Sequence, residues 1–172
     1  MIAKPKPNIT MRILLLFTLL FTAINWGNGQ SLPLHQIDLK GLTGEHTTLD
    51  QVIPKGKKVV LSFWATWCAP CKKELDAITP LYADWQDKYD VTVIAISTDD
   101  ARTAGRVKST VLQKKWPFEV YQDIEGQTKQ VFNFSSIPFT AVLDSKGNLA
   151  YTHIGYKSGD EKKLAEKLSE IE

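Results

Sequence analysis

The 172-residue sequence contains only two cysteines and three histidines, and it has no internal repeat. Both cysteines lie in one stretch, FWATWCAPCKKEL at residues 63–75, which excludes a disulfide-rich scaffold and a four-cysteine zinc site. His35, His46 and His153 are scattered without the spacing of metal ligands, so we expect no metal site. No apolar run reaches the roughly 20 residues that an ordinary transmembrane helix requires.

The first 29 residues differ in character from the rest of the chain. They carry Lys4, Lys6 and Arg12, then an apolar run at residues 13–24, then small and polar residues. This is the order of regions in a secretory signal, although the small residues match a cleavage site only loosely. We predict that residues 1–29 form either a signal peptide or a retained membrane anchor, and that residues 32–172 form one extracytoplasmic, periplasmic domain.

Export changes the interpretation of charge and of the cysteines. Without the N-terminal segment, 18 basic residues stand against 19 acidic ones, a net charge of about −1. Nothing in that balance indicates nucleic-acid binding. An oxidising compartment converts cysteine pairs to disulfides unless a partner reduces them.

The hydrophobic pattern alternates between strands and helices. Continuous apolar runs predict buried strands at residues 59–65 and 91–97, with further strands at 140–144 and 149–154 and a short one within 116–123. Two more short strands are predicted on either side of residues 41–44, and a turn is predicted after the second of them. Helices are predicted from residue 72 onwards with a kink or break at Pro80, from a cap at Asp99 and Asp100 to residue 115, at 127–132, and at the C-terminus. This order predicts an α/β fold with a mixed central sheet flanked by helices.

The cysteine pair falls where the first buried strand gives way to a helix. Cys68 is predicted at the helix N-terminus, where backbone N–H groups and the helix dipole favour a thiolate, and Cys71 lies one turn further in. This predicts an exposed, acidified thiol beside a shielded partner, as thiol–disulfide exchange requires. A zinc site lacks its other ligands, and a purely structural bridge over so short a loop constrains the unfolded chain little.

Two segments, FWATWCAPCKKE at 63–74 and SSIPFTAVLD at 135–144, carry a family resemblance. The chain resembles the thioredoxin superfamily, and most closely its extracytoplasmic TlpA/ResA-like thiol–disulfide oxidoreductases. The resemblance implies a thioredoxin-like fold with an N-terminal β-hairpin and a helix–strand insertion at about residues 99–121. It also implies a redox-active Cys68–Cys71 disulfide and no other cofactor.

The resemblance assigns roles to the reactive residues. Cys68 is expected to be the attacking thiol and Cys71 the resolving one. Glu74 matches an acid that tunes thiol ionisation or assists proton transfer. Ser62 stands where cytoplasmic thioredoxins carry a buried aspartate, which makes Glu74 the best remaining proton acceptor.

The resemblance also predicts a client-binding surface. Pro138, after Ile137, matches a cis-proline that faces the disulfide, and Trp67 is expected to cover the active site. Ala69 and Pro70, between the cysteines, complete the predicted substrate-binding set. Two further departures from the family pattern are Asp76 in place of a helix-kinking proline, and Phe139, whose ring we expect to reshape the client groove.

We therefore predict an oxidoreductase that reduces disulfides of exported client proteins and is itself reduced by a membrane electron-donor protein. Apocytochrome c is one client that the resemblance suggests. Two alternatives stay open: a non-catalytic thioredoxin-fold chaperone or redox sensor, and a peroxiredoxin-like peroxidase. The peroxidase needs a threonine three residues before its cysteine and a nearby arginine, whereas Thr66 is two residues before Cys68.

Overall fold

The computed structural model describes residues 32–172, so the predicted signal peptide or anchor at 1–29 lies outside the described residues. A seven-stranded sheet within residues 32–172 has the order β2-β1-β5-β4-β3-β6-β7. The strands are β1 (Asp38–Gly41), β2 (His46–Thr48), β3 (Lys58–Trp64), β4 (Val91–Ser97), β5 (Glu119–Gln122), β6 (Phe139–Leu143) and β7 (Leu149–Ile154). The helices are α1 (Leu49–Val52), α2 (Ala69–Ile78), α3 (Tyr82–Tyr89), α4 (Val107–Lys114), α5 (Gln127–Val131) and α6 (Asp160–Glu170).

The sheet is mixed, as predicted. Strands β3, β4 and β5 run parallel to one another, whereas β6 pairs antiparallel with both β3 and β7. The β1–β2 hairpin attaches to the sheet by antiparallel pairing of β1 with β5. The predicted α/β fold, its N-terminal hairpin and its helix–strand insertion, here α4 and β5, are therefore confirmed.

Alternation along the central strands produces two different cores. Val59, Leu61 and Phe63 of β3 contribute to one buried cluster, while Val60 and Trp64 contribute to another on the opposite face. Successive strand residues point to opposite faces of a sheet. Ser62 therefore lies on the face of Val60 and Trp64, beneath helix α2.

Pro80 breaks the first long helical segment, as predicted. Helix α2 ends at Ile78, a 3₁₀ turn spans Thr79–Leu81, and α3 continues from Tyr82. Proline lacks the N–H that an α-helix needs in its interior, and it is tolerated in the first turn of the segment that follows. None of the helices in residues 32–172 has the length and apolar character needed to cross a bilayer.

Two local predictions were wrong. The segment after β2 is a short helix, α1, rather than a turn, and Gln51 and Thr48 form a capping box at its start. Asp99 and Asp100 do not cap α4, which begins only at Val107 after a 3₁₀ turn at Ala104–Arg106. The Asp99 carboxylate instead turns inward to the loop before Cys68.

Asp76 stands where a helix-kinking proline is common in the family, and here its side chain connects α2 to the insertion. Its carboxylate accepts hydrogen bonds from Trp116 Nε1 at 2.9 Å and Lys114 Nζ at 2.6 Å. Trp116 also packs edge-on against Trp64, with ring centroids 4.9 Å apart. The insertion is thereby connected to the last turn of α2, the helix that carries the cysteines.

Candidate active site

The cysteine pair lies at the junction of β3 and α2, where the sequence places it. Cys68 is the N-cap of α2, and its Sγ accepts the backbone N–H of Cys71 at 3.3 Å. The two cysteines form a disulfide with Cα atoms 5.4 Å apart. Pro70 occupies the first turn of the helix, where a missing N–H leaves no hydrogen bond unmade. A thiolate on Cys68 would be stabilised by this N–H and by the helix dipole.

Both sulfurs are more buried than expected. Cys71 is fully buried, and Cys68, predicted to be exposed, retains only 4% of its surface. The prediction considered only the helix terminus, whereas Cys68 also packs in the core cluster of Trp64 and Ala65. The accessible surface around the disulfide belongs instead to its neighbours, and Trp67 is 64% exposed.

The Ile137–Pro138 segment lies at the same end of the sheet as the disulfide. The peptide bond between them is cis. Because Phe139 of β6 pairs with Phe63 of β3, the start of β6 lies beside the strand end that leads to Cys68. Ile137 is partly buried against the core cluster that contains both cysteines.

Phe139 does not reshape a client groove as predicted. Its side chain is 3% exposed and stacks on Phe134, with ring centroids 4.5 Å apart. Phe139 is the first residue of β6, and it belongs to the buried cluster of Phe63 and Phe134. The ring therefore fills the core on the face of the sheet opposite the cysteines.

A shallow basin adjoins the disulfide. Ala69 and Pro70 form one wall, and Tyr156, Lys157 and Ser158 of the loop before α6 form the other, with Lys73 at the side. Two of the predicted substrate-binding residues thus share a surface with a loop that sequence reasoning missed. That loop lies about 90 residues away in sequence, and no motif marks it.

Glu74 is a buried carboxyl group beneath this surface. It is 4% exposed, and it accepts hydrogen bonds from Ser62 Oγ at 3.1 Å and Thr140 Oγ1 at 2.7 Å. Burial raises the pKa of Glu74 to about 7, although the two hydroxyl groups counteract part of that rise. Glu74 is three positions after Cys71 on α2, so the two side chains lie on one helix face. The carboxyl group therefore changes its ionisation state near neutral pH.

A second buried carboxylate holds the loop before the cysteines. Asp99 is fully buried and accepts hydrogen bonds from the Thr66 backbone N–H at 2.8 Å, Thr66 Oγ1 at 2.6 Å and Ser97 Oγ at 2.7 Å. Lys72 Nζ donates to the Thr66 carbonyl oxygen at 2.7 Å. Thr66 is thus fixed on both sides, two residues before Cys68.

Sequence reasoning missed Asp99 because it assigned the residue to a helix cap. One signal was available: Asp99 follows a buried strand, and parallel neighbours β3 and β4 both end at this edge of the sheet. Side chains at the carboxyl ends of parallel strands meet there.

No group of three or more His, Cys, Asp or Glu side chains able to hold a metal ion occurs within residues 32–172.

Comparison with known proteins identifies the family of the chain. Residues 29–152 match the AhpC/TSA family. The chain belongs to the AhpC/TSA family. Among curated relatives, the thioredoxin-like protein YneN of Bacillus subtilis is 34% identical over 141 residues, which cover 81% of this chain and 78% of YneN. The thiol–disulfide oxidoreductase ResA of Oceanobacillus iheyensis is 29% identical over 121 residues, or 70% of this chain and 62% of ResA.

A solved structure supports the same relationship. An uncharacterized thioredoxin-like protein from Porphyromonas gingivalis superposes with a TM-score of 0.71 at 37% sequence identity, covering 84% of this chain and 93% of that one. The predicted thioredoxin-like fold and the resemblance to ResA-like proteins are confirmed. The class of enzyme, a thiol–disulfide oxidoreductase with a CxxC disulfide, is confirmed by these homologues.

Proposed function

We propose that this protein reduces disulfides of exported client proteins through the Cys68/Cys71 pair. The observation that carries the proposal is the position of Cys68 as the N-cap of α2, with its sulfur accepting the Cys71 N–H. A sulfur held in this way is stabilised as a thiolate, the reactive species in disulfide exchange. The Ile137–Pro138 segment and the basin beside Ala69 and Pro70 would receive the client chain.

The proposed reaction has two steps. In the reduced protein, the Cys68 thiolate attacks one sulfur of the client disulfide, which forms a mixed disulfide and releases the other client sulfur as a thiolate. The Cys71 thiol then passes its proton to the Glu74 carboxylate, and its sulfur attacks Cys68. This step closes the Cys68–Cys71 disulfide and frees the second client sulfur, so two electrons have moved to the client.

The direction of electron flow is part of the proposal. Ala69 and Pro70 between the cysteines include no histidine that would further acidify Cys68. We expect a reduction potential near that of thioredoxin, about −270 mV, and a value near about −120 mV would instead indicate an oxidant. Equilibration of the protein with glutathione buffers measures this potential.

The cellular setting is proposed from the N-terminal segment and the family. We propose that residues 1–29 export residues 32–172 as a thioredoxin-like domain to the periplasm, either as a cleaved signal or as a retained tether. A membrane electron-donor protein would then re-reduce Cys68–Cys71. Apocytochrome c, whose cysteines must be reduced before haem attachment, is the client class we propose to test first.

Trapping with cysteine variants tests the roles of the two sulfurs. In Cys71→Ser, the resolving thiol is missing, so mixed disulfides between Cys68 and client proteins should accumulate and be visible on non-reducing gels. In Cys68→Ser, they should not. Equal trapping by both variants would refute the assignment of Cys68 as the attacking thiol. Full cellular function of a double cysteine-to-serine variant would favour the non-catalytic chaperone or sensor.

The peroxidase alternative is disfavoured by the contacts of Thr66. Its hydroxyl group donates to Asp99 at 2.6 Å, so it is engaged away from the Cys68 sulfur. Consumption of hydrogen peroxide with a thiol donor is the decisive assay. We expect none above the rate of free thiols.

A further inference from the structure

A row of side chains crosses the sheet from the buried centre to its edge. Ser62 of β3 pairs with Thr140 of β6, and Thr140 pairs with His153 of β7. Residues directly opposite on paired strands share a face, with Cβ atoms about 5 Å apart. Exposure rises along the row: Ser62 is fully buried, Thr140 is 1% exposed, and the His153 side chain is 33% exposed.

Glu74 lies on the inner end of this row. Its two carboxyl oxygens accept from Ser62 and Thr140, at 3.1 and 2.7 Å. A small cavity of about 60 Å³ opens beside it, and Glu74, Thr140 and His153 all line that cavity. A single water needs roughly 15 Å³ of such space, so the cavity has room for water between the carboxyl group and the imidazole.

The charged groups around the cavity come from β7, α6 and the loop between them. Tyr151 and His153 face it from β7, and Asp160, Glu161 and Lys163 from α6. Tyr156, in the loop, donates to Glu161 at 3.0 Å, and Lys163 pairs with Asp160 at 3.0 Å.

Asp160 lies beside the imidazole ring of His153. Its Oδ2 lies 3.4 Å from His153 Nε2. The backbone N–H of Lys157 and the ammonium group of Lys163 hold the pKa of Asp160 down at about 2. The carboxylate therefore remains ionised at neutral pH, beside the imidazole ring.

We infer that His153 exchanges protons between Glu74 and solvent across this cavity. The inference rests on the proposed function, because it concerns the proton that Glu74 takes from Cys71 during resolution. An imidazole both accepts and donates a proton near neutral pH, and a hydroxyl group such as that of Thr140 can accept one proton while donating another.

The proton balance is simple. Cys71–SH and the Glu74 carboxylate become a thiolate and a carboxylic acid when the mixed disulfide is resolved. The carboxylic acid then gives its proton to His153, through Thr140 or a cavity water, and the imidazolium releases it to bulk water. Because the pKa of Glu74 is about 7, part of the reduced protein carries this carboxylic acid at pH 7 before resolution begins. In those molecules Glu74 must pass its proton to His153 before it can accept the Cys71 proton, so the mixed disulfide persists until that transfer has occurred. No electron moves in this step.

The test measures how long the mixed disulfide survives. Pre-reduced protein is mixed with oxidised glutathione in dilute buffer at pH 7, quenched with acid, and the Cys68–glutathione adduct is followed by intact mass. In His153→Gln, which keeps a polar side chain but cannot carry the proton, we expect the adduct to persist about tenfold longer, less than the roughly 100-fold of a positioned acid or base. Added imidazole should restore the wild-type lifetime, and a merely structural defect would not respond to it.

Matched variants separate the outcomes. His46→Gln, on strand β2 at the opposite edge of the sheet, should resolve the adduct as the wild type does. In Glu74→Gln, the Cys68–glutathione adduct should also persist longer than in the wild type, and added imidazole should not shorten its lifetime. A His153→Gln lifetime equal to the wild type, or a lengthened one that imidazole leaves unchanged, overturns the inference. If His153→Gln does not fold, His153→Asn is judged by the same criteria.

The failure of the inference differs from the failure of the proposed function. If wild-type protein neither forms nor resolves the glutathione adduct, the exchange chemistry of Cys68 and Cys71 is wrong. If the wild type does both and His153→Gln is indistinguishable from it, only the proton route is wrong.

Discussion

The two faces of the central sheet are built from alternate residues of the same strands, yet their cores differ in kind. On one face, Phe63 packs against Phe132, Phe134 and Phe139 with ring centroids 4.9–5.7 Å apart. On the other, apolar packing is interrupted by buried Ser62, Thr140 and Glu74. The first face stabilises the fold by excluding water, whereas the second keeps an ionisable group beneath the disulfide.

The polar face is less favourable for stability than the aromatic face because it contains a buried ionisable group. A buried carboxyl group with a raised pKa destabilises the folded state whenever it is ionised. The aromatic face carries no such group among the residues of its cluster. Substitutions on the two faces should therefore differ in their pH dependence as well as in size.

The largest expected effect is on the aromatic face. Phe63→Ala removes a fully buried ring, and we expect it to lower the free energy of unfolding by about 3–5 kcal/mol. The buried residues of that cluster include no ionisable side chain, and the pKa of Tyr121, which packs against them, is raised to about 12 by burial, so the loss should be equal at pH 5 and pH 8. Urea unfolding followed by tryptophan fluorescence measures both values. Leu112→Ala, at a position 67% exposed, is the control and should change stability by less than about 0.5 kcal/mol.

Glu74→Gln is expected to remove a pH dependence of stability from the other face. The pKa of Glu74 is about 7 in the folded protein and near 4.5 when unfolded, so the folded state binds the proton more tightly. Stability from this group is present below pH 4.5 and is lost as pH rises to about 7, by roughly 3 kcal/mol in total. The variant should lack this decline.

Unfolding of wild type and Glu74→Gln at several pH values between 4.5 and 8 measures the difference. Glu166→Gln, at an exposed position on α6, serves as the matched control and should keep the wild-type slope. A Glu74→Gln slope equal to that of the wild type would mean that Glu74 does not titrate in this range, and the contrast between the faces would then be one of polarity alone.

Asp99→Asn probes a second buried polar group, two residues after the end of β4. The change replaces a buried carboxyl group that accepts three hydrogen bonds, and we expect the free energy of unfolding to fall by about 1–3 kcal/mol. Because the Thr66 loop leads to Cys68, the rate of alkylation of reduced Cys68 should change as well. Asp100→Asn is a close control, since the neighbouring Asp100 is bonded only near the surface, to Arg102 and Thr103. Similar effects of the two substitutions would contradict the assigned role of Asp99.

The contrast between faces also explains what could be predicted from the sequence. The apolar runs at β3 and β4 predicted both strands to within one residue, because strands buried on both faces need apolar residues throughout. The sequence predicted Cys68 at the start of a helix because the hydrophobic pattern changes there, from a continuous apolar run to helical spacing. Such features depend on residues adjacent in sequence.

What could not be predicted depends on distant residues. The burial of Glu74 requires Thr140, 66 residues further along the chain, and the capture of Thr66 by Asp99 spans 33 residues. The burial of Cys68 likewise depends on tertiary packing that a helix N-terminus does not reveal. No pattern in the sequence relates His153 to Glu74, because their connection runs through the register of β6 with β7.

The smallest expected effect, and the sharpest test of the polar face, is Thr140→Val. Valine keeps the shape and strand preference of threonine but cannot donate to Glu74, so the pKa of Glu74 should rise further. We expect a loss of about 1–2 kcal/mol at pH 8, where Glu74 is ionised, and a much smaller one at pH 5. Thr152→Val, at an exposed position on β7, should show no such pH dependence. If Thr140→Val costs the same at both pH values, its hydroxyl group stabilises packing rather than the charge on Glu74, and the two faces differ less than their hydrogen bonds indicate.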